Sequence, residues 1–127
     1  MQENQLFEYA VIRVVPRVER EEFINVGVIL YCAKLNFLQT AFELNEERLK
    51  AFCRDIDVDE VVDYLQAFKR ISEGAAEGGP IAKLPPASRF RWLTATRSTV
   101  VQTSKVHPGF CTDPQLCLEK LFAKMVL

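Results

Sequence analysis

The sequence has little of what a metal site or a disulfide framework needs. It carries one histidine, His107, and its four cysteines, Cys32, Cys53, Cys111 and Cys117, show no C-x-x-C spacing. A zinc site is therefore not expected, because such sites draw on three or four clustered His and Cys ligands. An even cysteine count would suit a secreted scaffold, but no charged-then-apolar leader opens the sequence, and 49% hydrophobic content is enough for one unaided core. Reduced, mostly buried thiols in the cytoplasm are the expectation.

An excess of one charge is also missing. Sixteen Lys and Arg stand against 17 Asp and Glu, a net charge of −1, so no global field steers the chain toward nucleic acid or anionic lipid. The longest apolar run, residues 26–33, is the length of a strand and far short of the roughly 18 residues a membrane span requires. Glycine is sparse, at five residues, and neither G-x-G-x-x-G nor G-x-x-x-x-G-K-[ST] occurs. A standard phosphate loop is thereby unsupported, and no cofactor is expected.

What is present reads as one α+β domain over residues 1–127: a small antiparallel sheet of about four strands, a three-strand meander plus a later strand, covered by helices. Residues 7–15 are apolar or β-branched and end at Pro16, which stops strand pairing. Residues 25–33 and 37–44 are further strand-like runs. The links between the three runs are too short for parallel crossovers, hence the meander. Asn45 before Glu46 and Glu47 predicts a helix start, with Leu49, Phe52, Cys53 and Ile56 as its apolar stripe. Asp57 and Glu60 resemble a capping box for a second helix, whose buried face is Val61, Val62, Leu65 and Phe68 and whose stop is Gly74.

Residues 73–86 hold too many glycines and prolines for a long helix and read as a loop. Ser88 is placed as the cap of a short helical turn through Leu93, and residues 99–106 as the fourth strand. His107-Pro108-Gly109 reads as a turn. Asp113-Pro114 opens a C-terminal helix with Leu118, Leu121, Phe122 and Met125 inward.

Several fragments in this order resemble a bacterial family catalogued as domain of unknown function 3037: residues 9–16 as a strand ending in Pro, Glu22-x-x-Asn25-Val-Gly-Val-Ile-Leu30, Trp92-Leu93 followed by Arg97-Ser98, and His107-Pro-Gly109 leading to Asp113-Pro114 and Leu121-Phe122. The resemblance covers nearly the whole chain. It implies a bacterial, cytoplasmic setting and no particular reaction, together with an association: members are often encoded beside kinase-fold proteins of the HipA type, which makes such a protein a candidate partner.

The residues themselves offer few groups for chemistry. Arg13 stands inside an apolar strand, where a charge is costly unless it is paired or bound to an anion. It pairs with Glu22, points to solvent, or meets a phosphate or carboxylate with its planar fork. Glu22 and Asn25 flank the entry to strand two, and Gly27 inside that strand marks a bulge, a crossing helix or a close ligand. Arg89, Arg91 and Arg97 bracket Trp92, a pattern that either holds and stacks a nucleic acid or is a core aromatic among solvated arginines, with Phe90 and Trp92 as anchors. His107 with Asp113 invites an acid–base pair, although Asp113 is already wanted as a helix cap. Ser98, Ser104 and Cys111 lie nearby, but none sits in a G-x-S-x-G elbow.

Three functions follow. The first is a module that binds another protein, the second a hydrolase or transferase acting on a phosphorylated or nucleic-acid substrate with Arg13, Arg97 and His107 converging. The third is a nucleic-acid-binding module with Arg89, Arg91 and Arg97 on one face.

Overall fold

The structure is a computed structural model and describes residues 3–127. Strand β1 (Gln5–Val14) pairs antiparallel with β2 (Ile24–Cys32), and β2 with β3 (Phe37–Phe42), which is the expected meander. The turn between β2 and β3 places Asn36 at φ 50°, a left-handed conformation that Asn tolerates better than most residues. On the far side of β1 lie two short strands, β4 (Val101–Thr103) against Ile12 to Val14 and β5 (His107–Cys111) against Gln5 to Tyr9. The sheet thus has five strands, in the order β3-β2-β1-β4 with β5 beside the other half of β1.

The strand expected over residues 99–106 is therefore shorter, and the turn expected at His107-Pro108-Gly109 is a strand. Pro108 is tolerated because β5 is an outer strand, where few N–H groups are needed for pairing. Gly109 is needed because the Phe7 ring lies on it: a Cβ there would stand 2.4 Å from Phe7 Cζ. Between β4 and β5, Ser104 takes over the ladder. Its N–H donates to the Val11 carbonyl and its hydroxyl oxygen accepts from the Val11 N–H, each at 2.8 Å. Ser104 is buried, so Ser104→Ala should orphan the Val11 N–H and cost about 1–3 kcal/mol, read as a lowered urea midpoint.

Helices cover both faces of the sheet. Ala10, Ile12 and Val14 of β1 turn toward α1 (Glu46–Phe52), α2 (Val58–Glu73) and α3 (Pro86–Leu93), with Leu49, Leu65, Phe90 and Leu93 in one core. Phe7, Val28, Leu30 and Cys32 turn the other way, onto Leu118 and the half-buried Leu121, Phe122 and Met125 of α4 (Pro114–Met125). This division follows from strand alternation, which sends successive side chains to opposite faces.

The expected caps form. Asn45 Oδ1 accepts from Arg48 N–H, Asp57 Oδ1 from Glu60 N–H, and Gly74 ends α2 at φ 70°. Helix α1 stops at Phe52, so Cys53 and Ile56 lie beyond it, although Ile56 still packs on the core. Ser88 does not cap α3. The helix begins at Pro86, whose fixed φ suits the first helical position, and Ser88 lies within it. The loop of residues 73–86 contains two single 3-10 turns, Ala76–Gly78 and Pro80–Lys83, and buries Ala82.

All four cysteines are free thiols. In the α4 core, burial and then the thiols of Cys117 and Cys32 push Cys111 from its ordinary value of 9.0 up to about 12. A group protonated in the folded chain and ionising lower in the unfolded one favours folding fully below pH 9, and this contribution is lost as pH rises toward 12. The alkaline fall in stability should therefore be shallower in Cys111→Ser, as urea midpoints at pH 7, 9 and 10 would show.

No helix among the described residues is long and apolar enough to cross a membrane.

Candidate binding site

Arg13 lies where β1 meets both neighbours, opposite Asn25 of β2 and Gln102 of β4. The three make a polar row across the sheet. By alternation from Ile12 and Val14, the row falls on the face that α4 covers, where Asn25 Nδ2 donates to the Met125 carbonyl at the helix end. Next to the row β2 carries one extra residue: Ile12 pairs with Gly27 and Arg13 with Asn25, leaving Val26 as a bulge. The bulge and the neighbouring strand account for Gly27, because the space a side chain would need is filled by the carbonyl of Ala41 and by Phe42.

Glu22 does not pair with Arg13. It is exposed and forms an ion pair with Arg20 in the preceding turn. The residue that meets Arg13 is Phe23, whose ring centroid lies 3.9 Å from the guanidinium carbon. This cation–π contact fixes the fork without neutralising it. Burial pulls the Arg13 guanidinium below its ordinary value, and its buried Nε–H donates to no partner. Asn25 Oδ1 is likewise buried without a donor. Among the described residues, no carboxylate lies within ion-pair distance of Arg13 or Arg97.

Arg97 belongs to the segment between α3 and β4. Its guanidinium covers the Trp92 ring at 4.5 Å and donates from Nη2 to the Trp92 carbonyl. Arg13 and Arg97 line one cleft of about 380 Å3, together with Glu21, Phe23, Ser98 and Gln102. Two of the sequence candidates thus come together.

The others do not join them. Arg89 turns inward and donates from Nη1 to the Ile71 and Ser72 carbonyls, serving the C-terminal end of α2, so the three arginines near Trp92 do not form one free basic face. Of the two aromatic residues proposed as anchors, Phe90 is buried and packs near Tyr31, whereas Trp92 is 41% exposed. His107 is exposed on β5 with its ring 5.5 Å from that of Tyr9. Tyr9 is four residues down β1 from Arg13, about 13 Å of strand rise, and His107 does not line the cleft. Asp113 Oδ1 accepts from the Gln115 and Leu116 N–H groups as the cap of α4. No group of His, Cys, Asp and Glu among the described residues is arranged to hold a metal ion.

The model of a family described as "Protein of unknown function (DUF3037)" matches residues 9–126. The chain belongs to this family. No curated protein and no solved structure matches it. The fragments that carried the resemblance now have places. Glu22 to Leu30 enters the sheet beside Arg13, Thr96 to Ser98 of the Trp92-to-Ser98 fragment forms the other wall of the cleft, and His107 to Asp113 is the outer strand leading into α4.

Phe23, Glu21 and Gln102 escaped sequence reasoning. Phe23 did leave a signal, since it is the lone large apolar residue at the end of the charged link between β1 and β2, and it stays 42% exposed. A bulky ring kept at such a position is worth testing as a cover for a nearby charge.

Proposed function

We propose that this chain is a binding module that docks another protein, with the cleft of Arg13 and Arg97 receiving a carboxylate of the partner. The observation that carries the reading is Arg13 itself: a guanidinium on the central strand, stacked on Phe23, with a buried N–H lacking an acceptor and no carboxylate within ion-pair distance among the described residues. A half-buried cation with an unpartnered N–H bears part of the desolvation cost of a charge, and an anionic group from outside would offset it. The fork of an arginine also suits a carboxylate's two oxygens. The partner that the family resemblance implies is a HipA-type kinase-fold protein, and the setting in which the two would meet is the cytoplasm of a bacterium.

A transferase or hydrolase at the same cleft would need a group to move a proton there. The carboxylate lining it is Glu21, and His107 stands elsewhere on the sheet. Nucleic-acid binding is less favoured because Arg89 is engaged with α2.

Co-expression with a HipA-type kinase-fold protein, the partner that the resemblance implies, tests the reading. A stoichiometric complex should survive gel filtration in dilute buffer and weaken as added salt screens the attraction between the arginines and the partner's carboxylates. Separate elution of the two proteins at every salt concentration would refute it.

A further inference from the structure

Arg97 borders a second space. On its other side an apolar slot of about 150 Å3 opens between α2, α3 and β4, floored by Phe68, Ile71, Leu93 and Val101 and rimmed by Tyr64 and Trp92. The floor residues are buried, while Tyr64 and Trp92 are 45% and 41% exposed. Two large rings half out of water on neighbouring helices are the kind of surface that partner proteins use, since Trp and Tyr dominate interface energetics. A dry cavity of about 150 Å3 is also the size that accepts one benzene-sized group.

We infer that the slot takes a single phenylalanine- or leucine-sized anchor from an extended acidic segment of a partner protein, with carboxylates beside the anchor reaching Arg97 and Arg13. This rests on the docking reading given above and names the chemistry of the docked segment. Charge complementarity and continuity fix the occupant. Arg97 and Gln102 line both the slot and the cleft, so one surface runs from the apolar hole across Arg97 to Arg13. An isolated ring-sized molecule would fill the slot alone. A chain with an apolar residue and acidic neighbours meets the whole surface. The Arg97 guanidinium is held over Trp92 by its bond to the Trp92 carbonyl, so the positive charge is already in place at the mouth. Arginine held this way loses little freedom when a carboxylate arrives.

Trp92 is the only tryptophan in the chain and lines the slot, so its fluorescence reports occupancy directly. The probe is a blocked tripeptide of glutamate, phenylalanine and glutamate, titrated into the full chain. Saturable change in Trp92 emission is expected. Replacing the peptide's phenylalanine by alanine should weaken binding at least about tenfold, the value of burying one such side chain. Replacing its glutamates by glutamines, or using Arg97→Gln, should weaken it about three- to fivefold, as for a solvent-exposed charge pair.

Ala67→Phe provides the blocking variant, because Ala67 is exposed on α2 and borders the slot, so the added ring can occupy it without disturbing the core. Circular dichroism checks that the variant folds, and its affinity for the tripeptide should fall at least about tenfold. Equal binding of the alanine peptide, or unchanged affinity in Ala67→Phe, would overturn the inference. The kinase-fold partner separates the two readings. If the complex is lost in Arg13→Met but kept in Ala67→Phe, the slot is not used and protein docking stands. If wild-type chain forms no complex, the docking reading falls, and the tripeptide titration alone decides the slot.

Discussion

Gly27→Val is expected to destabilise the chain by about 3 kcal/mol or more, the upper end of what overpacking a core costs. An added Cβ would stand 2.6 Å from the Ala41 carbonyl oxygen, 2.8 Å from Phe42 Cβ and 3.2 Å from Ile12 Cδ1. The first two belong to the facing strand, which cannot recede without breaking the β2–β3 pairing at Gly27 and Phe42. The third is the end of a flexible side chain. Trimming it in the double variant Ile12→Val with Gly27→Val should therefore restore little, and the two changes should come close to adding. Alanine at the same position should cost about 1–3 kcal/mol, because it brings the clash without the branch. Urea unfolding followed by circular dichroism measures each value. A valine variant as stable as wild type would mean that β3 does not lie against Gly27 as described.

Much of this architecture could be read from sequence because its causes are local. Asn45, Asp57 and Asp113 each announce a helix through an oxygen that needs only the next three residues, and Gly74 ends one through its own backbone. The meander follows from two short links. Strand β5 was not legible, because Pro108 and Gly109 are turn residues unless an outer position tolerates the first and a ring lies on the second. That ring, Phe7, is about a hundred positions away in the chain. The division between β4 and β5 is equally remote in origin: Ser104 breaks the run because Val11 takes both of its polar groups.

The site divides along the same line. That Arg13 needed a partner was plain from an arginine within an apolar strand. Which partner it finds depends on side-chain direction across a turn, where Glu22 reaches back to Arg20 and Phe23 reaches forward. In α3, eight residues are too few for periodicity to say whether Phe90 or Trp92 faces inward. The position of α2 and β2 decides it, burying Phe90 and leaving Trp92 beside the slot.

Arg13→Met should separate folding from binding because the two effects carry opposite signs. In the free chain the guanidinium has a buried N–H without an acceptor and, among the described residues, no carboxylate within ion-pair distance, so the charge is held in the sheet unpaired. Methionine keeps the unbranched stem and its packing against Phe23 while removing that charge. Removing a half-buried, unpaired charge while keeping the packing should be neutral or mildly stabilising, so the urea midpoint should hold or rise. Affinity for the partner should fall by about 1.5–3 kcal/mol, roughly tenfold to a hundredfold, since a charge-assisted hydrogen bond is lost while Arg97 still faces the partner's carboxylate. Arg13→Lys retains the charge but loses the planar fork and its stacking, and should recover only part of the binding. Were Arg13 held instead by an internal acid, the methionine variant would strand that acid and lose about 3–5 kcal/mol of stability. A variant that unfolds more easily and binds its partner as before would therefore assign Arg13 to the scaffold and take the cleft out of docking.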